Sequence, residues 1–184
     1  MSFRRFLGLE QPVPRPPHVD PGDSETDTVR RIVARLESMP PEQARLLAGM
    51  AYVLARAANA DFEISDAETA TMERILMGDA GIDEAQAVLV VEMAKLQARA
   101  VGETEDYLVT REFKESATPE QRLAVLRACY AVGAADDSIS SAESATLDQI
   151  ANEFDLDPAQ VRAVRAEFAD KILARQLLEQ RLRH

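Results

Sequence analysis

Residues 60–75 recur at 135–150. Nine of the sixteen positions are identical: Ala60, Asp61, Ile64, Ser65, Ala67, Glu68, Ala70, Thr71 and Ile75 fall on Ala135, Asp136, Ile139, Ser140, Ala142, Glu143, Ala145, Thr146 and Ile150. The likeness continues downstream, where Ile82-Asp83-Glu84-Ala85-Gln86 resembles Leu156-Asp157-Pro158-Ala159-Gln160. Upstream, Met39-Pro40-Pro41-Glu42-Gln43 is echoed by Thr118-Pro119-Glu120-Gln121. Whatever one copy forms, the other is expected to form too, and two units that each bury one face pack most simply against each other about a pseudo-two-fold axis.

Apolar residues in both copies recur at i, i+3, i+4 and i+7, the period of a half-buried helix. Val29, Ile32, Val33 and Leu36 set a first helix over 24–38, ended by Pro40-Pro41. Pro41 opens a second, reaching about Asn59. Ser65 and Glu68 read as a capping box for a third that stops near Gly78. Asp83 starts a fourth, ended by Gly102, and 103–116 forms a shorter connecting helix. The pattern then restarts at Thr118, again at the Ser140/Glu143 box, and at Asp157-Pro158 for a final helix to about Arg181. The expectation is an all-α fold of about seven to eight helices made of two pseudo-symmetric three-helix repeats, about 41–101 and 118–181. With 5% aromatic residues and no Trp, the composition suits tightly packed helices. Gln43 to Asp61 is three residues longer than Gln121 to Asp136, so the first leading helix should be nearly one turn longer.

Five prolines between Gln11 and Asp23 favour extended, solvated backbone, which makes 1–22 a flexible arm and 23–184 a single domain. The arm's apolar tip, Phe3, Phe6, Leu7 and Leu9, is either disordered or docks on the domain, a partner or, weakly, a membrane.

The net charge of −11 is carried by 38–161, since 1–37 is balanced and 162–184 is net basic. Such a surface repels phosphate backbones, which argues against nucleic acid and for divalent cations or basic protein surfaces. Arg162, Arg165, Lys171, Arg175, Arg181 and Arg183 on the last helix suit an anionic lipid face or the acidic region of a second copy, giving a homo-oligomer. Alternatively they form a solvated face opposite Val161, Val164, Phe168 and Ile172. The lone Cys129 and the lack of a spanning apolar stretch point to the cytoplasm. His18 and His184 both lie in tails, Cys129 has no His partner, and Gly78-Asp79-Ala80-Gly81 lacks the Lys of a phosphate loop. The chain therefore reads as a non-enzyme.

The repeated element is Ala-Asp-x-x-Ile-Ser-x-Ala-Glu, with its Asp where one helix ends and its Glu where the next begins. Two readings stand side by side. In one, Asp61 and Asp136 turn toward the next helix while Ser65, Glu68, Ser140 and Glu143 cap it and Ile64 and Ile139 staple it. In the other, Asp61, Glu63, Asp66 and Glu68, with Asp136, Asp137 and Glu143, offer oxygen ligands to Ca²⁺, Mg²⁺ or Mn²⁺. It is not an EF-hand, because counting from Asp61 the sixth position is Asp66 instead of Gly and the twelfth is Met72 instead of Glu.

On Ala60-Asp61-x-x-Ile64-Ser65-x-x-Glu68 and Ala135-Asp136-x-x-Ile139-Ser140-x-x-Glu143, the sequence resembles the TerB-like family of bacterial tellurite-resistance domains over about 40–170. Phe62 and Asp137 stand where that family usually has Gly. The resemblance implies an all-helical cytoplasmic bacterial protein, an accessory or sensor module for stress or membrane-associated complexes. It also implies a divalent-cation site at Asp61, Glu68, Asp136 and Glu143, and no catalysis.

Overall fold

The computed structural model describes residues 23–58, 66–98, 106–134 and 139–172, with side chains from 27, 69, 109 and 139 onward in these stretches. They are helical almost throughout and contain no strand. In chain order the helices are α1 (Asp23–Glu37), α2 (Pro41–Ala57), α3 (Asp66–Asp79), α4 (Glu84–Ala98), α5 (Asp106–Ser116), α6 (Pro119–Gly133), α7 (Ser141–Glu153) and α8 (Pro158–Glu167). The chain divides into two units, Met1–Ala34 and Arg35–His184. The second holds α2 to α8, and the Pro-rich arm lies outside the described residues.

Ten of the 17 residues of α2 are buried, on every side of the helix, so α2 is the core element rather than an amphipathic cover. It packs against α4, α5, α6 and α7. The approach of α5 depends on Gly49: a Cβ there would lie 2.9 Å from Phe113 Cβ, inside any normal contact. Phe113 in turn meets Phe154, at the end of α7, with ring centroids 5.2 Å apart.

Elements α2, α3 and α4 correspond by sequence to α6, α7 and α8. The leading helices α2 and α6 touch each other, and each also carries the second helix of the opposite repeat, α6 packing on α3 and α2 on α7. These packings are unequal, because α5 occupies part of the surface that α2 and α7 share. The leading helix is longer in the first repeat, at 17 against 15 residues, so the difference is two residues instead of nearly a turn.

Both second helices end through a residue in the left-handed region, Gly81 (φ 66°) after α3 and Asp155 (φ 53°) after α7. Glycine takes this conformation freely; Asp carries a backbone penalty of about 1 kcal/mol. The final helix departs from the single run expected to about Arg181. It stops at Glu167, Phe168 takes φ −113° and ψ 15°, and the backbone is helical again over 169–172, where the described residues end. At the break the Phe168 ring lies on Tyr130, and beyond it the Lys171 carbonyl accepts the Ile139 N–H. Among the described residues no helix is long and apolar enough to cross a membrane.

Candidate functional site

The duplicated acidic loops join α2 to α3 and α6 to α7. Asp61, Glu63, Asp136 and Asp137 lie outside the described residues. Asp66 and Glu68 stand in the first turn of α3, and their side chains lie outside the described set. Glu143, the remaining candidate ligand, stands at the third position of α7.

Its role there is defined. Ser140 takes the extended conformation of an N-cap, its Oγ accepts the Glu143 N–H at 3.1 Å, and its own N–H donates to Glu143 Oε2 at 2.7 Å. This is the reciprocal capping box expected from the sequence, and it satisfies two amides that would otherwise be orphaned at the helix start. Ile139, just before the cap, is 1% exposed, as a staple residue should be.

Both stems of the second loop are gripped by α8 and the turn after it. At the end of α6, the Tyr130 ring stacks on Phe168 with centroids 5.5 Å apart, and the Arg127 guanidinium reaches Glu167 at 3.0 Å as well as Asp79 of α3. Hydrogen bonding to Glu167, then to Asp79, holds the Arg127 pKa above its ordinary value despite partial burial. On the other stem, the Ile139 N–H donates to the Lys171 carbonyl at 3.2 Å, and Arg165 pairs with Asp148 at 2.9 Å and reaches Ser144 Oγ at 3.3 Å. Arg165, its side chain 40% exposed, therefore makes an inter-helix tie from the outer face of the last helix, next to the buried Val164. Among the described residues the buried Tyr130 hydroxyl has no hydrogen-bond partner, and burial pushes its pKa up.

The first loop's leading stem carries a different device. Arg56, in the last turn of α2, forms a bidentate pair with Glu153, the final residue of α7, at 2.6 and 3.1 Å, and also reaches Thr110 Oγ1 at 3.3 Å. Both side chains of the pair are about nine-tenths buried, at 10% and 12% exposed. A terminal carboxylate opposes the α7 macrodipole, and Arg56 cancels that charge. Asp79, the last residue of α3, is answered in the same way by Arg127. A depression of about 200 Å³ lined by Arg111, Lys114, Glu115 and Glu153 opens beside the Arg56 pair.

Cys129 is fully buried, its Sγ lies 3.8 Å from the Val53 carbonyl oxygen, and burial pushes its pKa up to about 12, so its thiol stays neutral and unreactive in the folded chain. Among the described residues no three His, Cys, Asp or Glu side chains gather as a metal-binding group. Sequence reasoning missed the Thr118/Gln121 capping box of α6, whose T-x-x-Q signal was readable, and the Arg56–Glu153 pair, whose members are 97 residues apart and carry no local signal.

Comparison with known proteins adds the family. The model described as tellurite resistance protein TerB matches residues 47–166, from within α2 to within α8. Curated proteins and solved structures give no match. The match spans well over half the chain, and the chain belongs to the TerB family.

Proposed function

We propose that this TerB-family chain is a non-catalytic helical module, working in a tellurite-type stress response, that acts through protein contacts. The observation that carries this reading is the Ser140/Glu143 box: the one candidate ligand side chain that is described is engaged in starting a helix. The buried, neutral Cys129 thiol supports it by removing the chain's only thiol nucleophile. The acidic stretch 38–161 suits a partner with a basic surface.

Light scattering on the native chain recovered from its own cells, with and without tellurite, tests this reading. The expected result is a complex of fixed stoichiometry with a second protein, heavier than the 20.3 kDa chain. Recovery only as the free chain, with no change in tellurite tolerance when the chain is deleted, would contradict it.

A second reading, a divalent-cation-responsive sensor, is favoured by the repetition of Asp61 with Glu68 and of Asp136 with Glu143 at the same spacing. There the ion would be Ca²⁺, Mg²⁺ or Mn²⁺, held by carboxylate oxygens. A ligand that binds only the native state raises its stability by RT ln(1 + [L]/Kd), so the two readings differ in whether melting depends on the ion.

A further inference from the structure

We infer that α8 with the helical turn through Ile172 is a releasable strap, closed over the stems of the second loop by ion pairs and one aromatic stack and able to open while the rest of the bundle stays folded. Over 158–172 only Val164 and Ile172 are buried, whereas the counterpart α4 buries seven residues. Apolar area removed from water is the main term holding a helix down, so α8 is held by the weaker set: Arg165 with Asp148, Arg127 with Glu167, Phe168 on Tyr130, and Lys171 O with Ile139 N–H. Both ion pairs are partly exposed, which makes them weak and open to screening by salt.

Opening also relieves a cost. The Tyr130 hydroxyl, unpartnered under the closed strap, would gain water, and Asp155 at the strap's base already holds a left-handed conformation suited to a hinge. The strap's release frees both the Tyr130 ring and the Ile139 amide, so each stem of the second acidic loop loses one of its holds when the strap opens. The first loop has no such control, because the closing helix of its repeat is part of the core. This device works whether or not either loop takes an ion.

Native-state amide exchange on the full chain tests the strap directly. Expected are α8 amides and the Ile139 amide exchanging together at least about tenfold faster than those of α2 and α4, and faster still in about 1 M salt. Arg165→Ala should speed the Ile139 amide about fivefold and Tyr130→Phe should slow it about fivefold, with α4 unchanged as the internal sign that the fold is intact. Exchange of Ile139 and α8 only with α4, or a Tyr130→Phe change that leaves the Ile139 rate unmoved or faster, would overturn the inference.

Discussion

Helices α4 and α8 begin alike, with Asp83 and Gln86 in one and Asp157 and Gln160 in the other, yet they are held by different forces. In α4, Asp83 and Gln86 form a capping box and the helix runs 15 residues, burying Val90, Val91, Met93 and Ala94 among others. In α8, Asp157 caps through Ala159 N–H at 2.7 Å, the helix stops after 10 residues, and polar ties replace the apolar face. The lesson is that a duplicated start signal fixes where a helix begins, while what it packs against decides how firmly it stays. One repeat is closed by its core and the other by its surface.

The largest test of that difference is charge burial. Arg56→Ala leaves the buried Glu153 carboxylate without its ion-pair partner, with only the Gln149 amide bond at 3.0 Å, and should cost about 3 kcal/mol in denaturant unfolding. Arg165→Ala, at a tie whose members are 40% and 46% exposed, should cost under about 1 kcal/mol. Equal losses would break the contrast between ties buried in the core and the exposed ties that hold α8.

Next comes apolar truncation: Met93→Ala in α4 should lower global stability by about 2–5 kcal/mol, and Val164→Ala in α8 by less than half as much. Smaller again is the turn, where Asp155→Gly should stabilise by about 1 kcal/mol, read as a rise in Tm, because Gly81 already fills the equivalent place in the first repeat. The same substitution removes the Asp155 carboxylate from Lys114, but that ion pair, at 3.4 Å, is exposed and weak.

Cys129 gives the last test. Its folded pKa, raised from 9.0 to about 12, means that stability from the neutral thiol is complete below about pH 9 and is lost as pH rises toward 12. Alkylation at pH 8 should therefore proceed no faster than global unfolding. Rapid labelling of the folded chain would show that the α2–α6 contact is not closed.

Much of this fold was legible in the residues. The 3.6-residue period and the capping signals placed the starts of α2, α4, α6, α7 and α8 within one residue, and the Ser140/Glu143 box formed as its spacing required. The all-helical class and the TerB resemblance were legible too. What could not be read was tertiary. Nothing local says that the last helix breaks at Phe168, where the ring meets Tyr130, 38 positions earlier, and where the Lys171 carbonyl beyond the break meets the Ile139 amide. The central place of α2, rather than a one-sided face, likewise comes from α5 settling on Gly49. At the candidate site, the residue pattern left seven acidic residues with equal standing, and the structure defines the role of Glu143 alone among them, through contacts to its own helix start.

The most direct test of the central claim, that the repeated acids serve the fold and its protein contacts, is a set of thermal melts of the full chain in EDTA and in millimolar Ca²⁺, Mg²⁺ or Mn²⁺. The account predicts one Tm under all four conditions, and a loss of about 1 kcal/mol for Glu143→Ala that is independent of the ion. A Tm that rises with one ion, and no longer rises in Asp136→Asn, would contradict it.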